Sequence, residues 1–370
     1  MKNALPRIRR LVPLSILGTI ALLTTGCFPG QEIRIQAMFP VTWKRPAQEL
    51  PVFPFDQGPC PPVLQFNPKV ITAGRFAPAQ GGNRLSCWDG PDPDIVQDPE
   101  TGRVYVFTTT AHWRQVQMFE RRPRVGWVPL NPDALAFVPS WATEGFFWAP
   151  HVTRLDRSPD PWSLFFTSYV RDTSKLCIGQ ARAAKITGPY VPDPQPFFCE
   201  QGQVNALDPF VVRDGDGNRF FYWAIYGPGV KNQIRSIRMH RDGSGLYGPR
   251  TVAMQASLPW EEGVVENPSV VWHPTVGWLM TYSGSYWDTP RYGFGFAVCQ
   301  TAMGPCHQRI GPVVNGPSTG VPGPGGSSLA WIAQPDGTAR LTMVWHAWNS
   351  PNTSYAAGAR RQPYIGVLAP

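Results

Sequence analysis

The stretch DPETGRVYVFTTT at residues 98–110 decides the fold, because its pattern recurs four more times along the chain. Each copy is a polar turn followed by an apolar run of β-forming residues, which is typical of a turn leading into a buried strand. The other copies are DRSPDPWSLFFTSY (156–169), RDGDGNRFFYWAIY (213–226), WHPTVGWLMTYSG (272–284) and QPDGTARLTMVWHAW (334–348). Their equivalent positions are Tyr105, Ser163, Phe221, Leu279 and Thr342, spaced by 58, 58, 58 and 63 residues.

A second, shorter strand pattern precedes each turn. The five segments are PDPDIV (91–96), WAPHV (148–152), LDPFVV (207–212), ENPSVV (266–271) and GGSSLA (325–330), and the first four share a proline. Five such units fill the chain from about residue 80 to its end. The constant period predicts an all-β fold, a five-bladed β-propeller in which each blade is a small antiparallel sheet around a central channel. Unrelated strands of a sandwich would not give this spacing.

The composition fits such a fold and excludes other classes. The 370 residues include 36 Gly, 42 Pro and 15 Trp, and only 16% are charged. A long helical bundle or a disordered chain would contain more charged residues and fewer aromatic ones. The formal net charge of +8 falls to +4 without the four cations of residues 1–26, and no basic cluster with interleaved aromatics occurs. We therefore expect no nucleic-acid partner, and we expect a monomer.

The first 26 residues have the pattern of an export signal. Four cations precede an apolar stretch from Leu11 to Leu23, which is too short for an ordinary membrane-spanning helix. The small residues before Cys27 resemble the cleavage site of bacterial lipoproteins. That resemblance implies lipidation of Cys27 and an exported protein anchored in the cell envelope. A secreted protein with a free Cys27 and an uncleaved membrane anchor are the alternatives.

The predicted organisation has three segments. Residues 1–26 form the signal peptide, residues 27–80 a proline-rich, lipid-anchored tether and cover segment, and residues 81–370 the propeller domain. Six cysteines remain beyond Cys27, an even number that indicates disulfides in an exported protein. Sequence proximity favours Cys60 with Cys87, Cys177 with Cys199, and Cys299 with Cys306 among the 15 pairings that six cysteines allow.

The repeat also predicts where the chemistry lies. Residues directly before the shared prolines occupy the same height around the channel, and they are Asp92, Ala149, Asp208 and Asn267. Glu266 precedes Asn267 by one residue. Three carboxylates from the first, third and fourth blades are therefore expected to converge at one end of the channel. Paired carboxylates are the usual apparatus for hydrolysing glycosidic bonds, and a third acid beside the proton donor raises the donor's pKa.

The motifs resemble those of glycoside hydrolase family 43, a family of five-bladed propellers. The resembling residues are Asp92-Pro93-Asp94-Ile95, Trp148-Ala149-Pro150, Asp208-Pro209 and Glu266-Asn267-Pro268, and the resemblance covers about residues 85–350. It implies an inverting enzyme that acts on arabinofuranosides, xylosides or related furanosides in oligo- or polysaccharides. By that resemblance Asp92 is the general base, Glu266 the general acid, and Asp208 the residue that tunes and orients the acid.

Further residues are assigned more loosely. His346 resembles a histidine that in many family members helps to hold a calcium or other ion through water, so a structural Ca²⁺ in the channel is one expectation and a packed core histidine the other. No cofactor is expected to be required. Trp148, Trp88 and Trp260 lie within six residues of the proposed catalytic positions and are candidates to stack on a sugar ring.

Two other functions remain open at this point. A retaining enzyme of the related fructan-cleaving propellers would use the first aspartate as a nucleophile, although its opening, third and fourth motifs differ from GPDPDI, LDPF and VENP in this chain. A carbohydrate-binding propeller without catalysis is the other alternative, and the presence of all three acids argues against it.

Overall fold

The computed structural model describes residues 83–316 and 320–368, which form five four-stranded antiparallel sheets with almost no helix. The predicted all-β, five-bladed propeller is confirmed. The first blade contains β2 (Asp94–Gln97), β3 (Val104–Thr108), β4 (Gln117–Arg122) and β5 (Gly126–Pro129). The second contains β6 (Trp148–Arg154), β7 (Trp162–Tyr169), β8 (Leu176–Ala183) and β9 (Val191–Pro192). The third contains β10 (Asn205–Arg213), β11 (Arg219–Tyr226), β12 (Gln233–Met239) and β13 (Leu246–Gln255).

The fifth blade combines strands from both ends of the described chain. The fourth blade still follows the chain order, with β14 (Val265–His273), β15 (Gly277–Gly284), β16 (Gly293–Cys299) and β17 (Cys306–Asn315). The fifth contains β18 (Gly325–Ala333), β19 (Ala339–Trp348) and β20 (Arg361–Val367), and β1 (Asn83–Arg84) pairs with β20 as its fourth strand. This pairing joins the beginning of the propeller to its last blade and closes the ring.

The apolar runs of the repeat form five hydrophobic clusters, each between two neighbouring blades. Phe165 of the second blade packs with Phe221 and Trp223 of the third, and corresponding clusters join the other four pairs of neighbours. Because these side chains are almost completely buried, sheet-to-sheet packing around the ring supplies most of the apolar burial. The innermost strands of the first four blades, β2, β6, β10 and β14, are the ones that the proline-containing segments predicted, and β18 contains the fifth segment, GGSSLA.

Strand pairing corrects one detail of the sequence alignment. The residues opposite Val96, Thr153, Val271 and Ala330 are Tyr105, Ser163, Leu279 and Thr342, as aligned. In the third blade the residue in register is Phe220, opposite Val212, and not Phe221.

Two of the expected disulfides are present, Cys177–Cys199 and Cys299–Cys306. Cys87 is also disulfide-bonded, and its expected partner Cys60 lies outside the described residues. The predicted signal peptide (1–26), Cys27 and the whole tether segment (27–80) also lie outside them. Within the described chain, no helix has the length and apolar character needed to span a membrane.

Candidate active site

A ring of five equivalent backbone positions organises one end of the channel. Each position has a left-handed φ between 45° and 58° and lies on the innermost strand of its blade or just before it. Each backbone N–H donates at 2.9–3.0 Å to a side chain of the preceding blade. The five residues are Asp92, Ala149, Asp208, Asn267 and Gly326, and the acceptors are His346 Nδ1, Thr109 Oγ1, Thr167 Oγ1, Asp208 Oδ2 and Ser283 Oγ.

This ring explains why the carboxylates meet. Four of the five positions lie where the pairing of the innermost strand shifts register, and such bulges re-aim side chains. The sequence alignment found the first four positions by their prolines and missed Gly326, which has none after it. The structure brings Asp92, Asp208 and Glu266 close enough together that their charges interact.

Asp92 lies among hydrogen-bond donors. Thr109 Oγ1 donates to Asp92 Oδ2 at 2.8 Å, and the Arg361 guanidinium lies 3.5 Å from Oδ1. A hydroxyl donor and a cation suit an ionised carboxylate, which can accept a proton from water.

Glu266 is held differently. The Tyr292 hydroxyl donates to Glu266 Oε1 at 2.7 Å. Burial raises the pKa of Glu266 to about 7, and the nearby negative charge of Asp92 also raises it, while the Tyr292 hydrogen bond and Arg361 lower it. A carboxyl group with this pKa carries a proton for much of the time near neutral pH, as a general acid must.

Asp208 lies next to Glu266 through the backbone of the following residue. Its Oδ2 accepts the N–H of Asn267 at 3.0 Å. Burial, with the charges of Glu266 and Asp92, raises the pKa of Asp208 well above its usual range. The two carboxyl groups are therefore coupled, and like-charge repulsion disfavours ionising both at once.

Arg361 is a site residue that the sequence analysis missed. It is 8% exposed, its guanidinium lies 4.6 Å from the centre of the Trp287 ring, and its Nε donates to the Tyr355 hydroxyl at 2.9 Å. It lies between Asp92 and the buried Asp89, and burial raises the pKa of Asp89 to about 6. Arg361 supplies positive charge beside the acids. Tyr292 was missed as well, and no motif marks either residue.

The three candidate tryptophans occupy different surroundings. Trp148 is half-buried, and its indole packs edge-on against Phe146 and Tyr169, directly before the equivalent position Ala149. Trp88 packs edge-on against His112 at 4.5 Å. Trp260 packs over the fourth sheet, where a Cβ added to Gly284 would come within 2.5 Å of its indole. Sugar stacking by these three residues stays a prediction.

His346 is fully buried, and its Nδ1 accepts the N–H of Asp92 at 3.0 Å. Burial lowers the pKa of His346 well below its usual value, so the ring is neutral and its single proton is on Nε2. Nε2 is buried without a partner among the described residues. A protonated Nε2 can donate to a water molecule but cannot ligate a cation, and no group of three metal-binding side chains occurs in the described chain. These residues fit an ion held through water and do not fit direct coordination.

Comparisons with known proteins agree with this geometry. The sequence profile described as "Glycosyl hydrolases family 43" matches residues 85–366. A thermostable family-43 glycoside hydrolase of known structure is 25% identical, with a TM-score of 0.67 over 78% of this chain and 92% of that one. An endo-1,4-beta-xylanase from Bacteroides thetaiotaomicron is 22% identical, with a TM-score of 0.60 over 78% of this chain and 95% of that one. An endo-arabinase from the same organism is 17% identical, with a TM-score of 0.58 over 78% of this chain and 96% of that one. A comparison with curated proteins found no match.

Proposed function

Because this chain belongs to glycosyl hydrolase family 43, it is a glycosidase, and we propose that it cleaves arabinofuranoside, xyloside or related furanoside linkages with inversion at the anomeric carbon. The substrate would be an oligo- or polysaccharide. The observation that carries the proposal is the convergence of three carboxyl groups in two different environments. Asp92 lies among donors, whereas burial raises the pKa of Glu266 to about 7.

The proposed reaction is a single displacement. Asp92 takes a proton from a water molecule while the water oxygen attacks the anomeric carbon. The glycosidic C–O bond breaks, and the leaving oxygen takes the proton of Glu266. Asp208 and the Tyr292 hydroxyl set the proton affinity and position of Glu266, since both contact it or its neighbouring residue.

The substrate class rests on the family and on two structural neighbours. The neighbours are described as an endo-1,4-beta-xylanase and an endo-arabinase. A carbohydrate-binding propeller without catalysis is less well supported, because such a protein has no need for a buried acid with a pKa of about 7.

A substrate panel with two variants tests the proposal. Nitrophenyl arabinofuranoside, xyloside and galactofuranoside should include at least one substrate that the purified protein hydrolyses. On an oligosaccharide, whose leaving oxygen must be protonated, Asp92→Asn and Glu266→Gln should each lower kcat by about 10²–10⁴, with unchanged circular dichroism. Glu266→Gln should recover partly on a substrate whose leaving group needs no protonation, and Asp92→Asn should not. Full turnover in either variant would contradict the assigned roles.

We further propose that His346 holds a water molecule in the channel, through which an ion can be bound, and that hydrolysis itself needs no cofactor. The unpartnered, protonated Nε2 supports this water site. The role of His346 would then be to position Asp92, whose N–H it accepts.

We also propose export, anchoring in the cell envelope through lipid on Cys27, and a monomeric protein. The signal-like residues 1–26 support export. The two disulfides are consistent with folding in an oxidising compartment outside the cytoplasm.

A further inference from the structure

A cavity of about 600 Å³ lies at the end of the channel opposite the carboxylates. It is lined by the second halves of the innermost strands, for example Arg213 on β10, Trp272 on β14 and Trp331 on β18, whereas the carboxylates lie near the beginnings of β2, β10 and β14. A smaller cavity of about 20 Å³ lies between the two ends, and Asp94, His151 and Phe210 border both cavities. The larger cavity is therefore separate from the proposed active site.

Two exposed indoles stand at the rim of this cavity. Trp272 is 53% exposed and Trp331 is 38% exposed. Both are held in place, because Trp331 Nε1 donates to the Trp272 carbonyl at 2.8 Å and the Trp272 ring meets the edge of Trp278 at 5.3 Å. Fixed, exposed indoles offer flat apolar faces that match the C–H face of a sugar ring. The volume also lies within the range of small-molecule sites, about 300–1,000 Å³.

The charge of the lining favours an anion. Arg213 is exposed at the rim, and no hydrogen bond or ion pair among the described residues uses its guanidinium. The one carboxylate in the lining is Asp94, which is buried and already accepts from Ser328 Oγ at 2.7 Å and the N–H of Val152 at 2.8 Å. Arg213 therefore places a positive charge on the third blade, next to the fourth blade that carries Trp272.

The floor of the cavity also contains an unsatisfied polar group. His151 is 6% exposed, and its Nδ1 lies 3.3 Å from Asp94 Oδ1. Its Nε2 is buried without a partner among the described residues. In the tautomer that donates from Nδ1 to Asp94, Nε2 is free to accept a hydrogen bond from a hydroxyl group or a bridging water.

We propose that this cavity is a second carbohydrate-binding site, which binds a sugar residue carrying a carboxylate, such as a uronic-acid branch of the polysaccharide substrate. Trp272 and Trp331 stack on the ring, and Arg213 pairs with the carboxylate. The site performs no catalysis. The ligand class of this site rests on the proposed function, because the site would hold another part of the polymer that is cleaved at the carboxylate end of the channel.

Fluorine NMR of the full chain, labelled with 5-fluorotryptophan, tests the site directly. The Glu266→Gln variant serves as the background so that the sugars are not consumed, and Trp272→Phe and Trp331→Phe assign the two signals. Glucuronic-acid-substituted xylotetraose should shift both signals to saturation. Unsubstituted xylotetraose should require up to about five times more sugar, the ratio expected for one exposed ion pair.

Three further variants sharpen the result. Arg213→Gln should raise the dissociation constant of the acidic sugar to that of the neutral one. Trp272→Ala should weaken binding at least about tenfold and leave the hydrolysis of nitrophenyl glycosides by the otherwise wild-type enzyme unchanged. Tyr247→Ala, which removes an aromatic ring that is 41% exposed on the third blade, is the matched control and should change neither property.

The outcomes separate this site from the proposed function. Unmoved Trp272 and Trp331 signals at millimolar sugar would overturn the site. Equal affinity for the acidic and neutral sugars, unaffected by Arg213→Gln, would overturn the ligand class. Shifted signals in a protein that hydrolyses no glycoside would leave the site standing and refute the proposed function instead.

Discussion

Replacing Tyr292 by phenylalanine should move the alkaline limit of activity to higher pH. The Tyr292 hydroxyl donates to Glu266 Oε1 at 2.7 Å, and this hydrogen bond lowers the pKa of Glu266 against the larger, opposing effect of burial. The donor stabilises the ionised carboxylate more than the protonated one. Its removal should therefore raise the pKa of Glu266 further, and the proposed general acid should keep its proton at higher pH.

The size of the shift follows from the energy of one hydrogen bond. Such a bond contributes about 0.5–1.5 kcal/mol, and one pKa unit corresponds to about 1.4 kcal/mol. The pKa of Glu266 should rise from about 7 by roughly 0.4–1 unit. The gain is confined to pH values above the wild-type pKa, because below it the acid is protonated in both proteins.

The assay is the pH dependence of kcat/KM on an oligosaccharide, whose poor leaving group departs only when it is protonated. Tyr222→Phe is the matched control, because the buried Tyr222 hydroxyl donates at 2.8 Å to the backbone carbonyl of Ala302 and not to a carboxylate. The control should lose some stability and keep the wild-type pH profile. An alkaline limb that stays in place or moves to lower pH in Tyr292→Phe would refute the assignment of Glu266 as the acid.

Three more predictions concern the ring, the core and the anchor. Gly326→Ala should lower kcat/KM at least tenfold, because the added Cβ would lie 2.6 Å from the His346 imidazole and 2.7 Å from Asp92 Oδ1. Ala149→Gly, at the equivalent position, should change kcat/KM little. Equal effects of the two variants in steady-state kinetics would show that this contact does not matter. Arg309→Met should lower the free energy of unfolding in urea by about 3 kcal/mol, because the fully buried Glu261 carboxylate loses its ion pair at 2.7 Å. A loss below about 1 kcal/mol would contradict this. Cys27→Ala should transfer the protein from the membrane to the soluble fraction, and an unmodified wild-type N-terminus in the culture fluid would exclude the anchor.

The repeat made the fold and the meeting of the acids predictable. The constant spacing set the number of blades, and the prolines marked the equivalent positions at Asp92, Ala149, Asp208 and Asn267. The fifth position, Gly326, could not be aligned because no proline follows it. Its equivalence is apparent only from the shared left-handed φ and from the N–H that it donates to the preceding blade.

The residues that surround the acids could not be predicted in the same way. Arg360 and Arg361 are adjacent in the sequence, and neither lies in a motif. The β20 strand begins at Arg361, opposite Trp348, so Arg361 is buried beside Asp92 while Arg360 remains exposed. Tyr292 reaches Glu266 from the turn before β16, 26 residues further along the chain. Such contacts depend on how outer strands and turns are arranged, which the repeat does not encode.

The anomeric configuration of the first-formed sugar tests the mechanism most directly. Proton NMR during early turnover of a nitrophenyl glycoside follows the anomeric signal before mutarotation mixes the two forms. Asp92 and Glu266 lie on the first and fourth blades, which are not neighbours, and an inverting pair leaves about 6.5–9.5 Å between its carboxyl groups for the attacking water. The mechanism predicts a first product of inverted configuration. A product that retains the configuration of the substrate would show that Asp92 attacks the sugar itself, and it would contradict the role of general base.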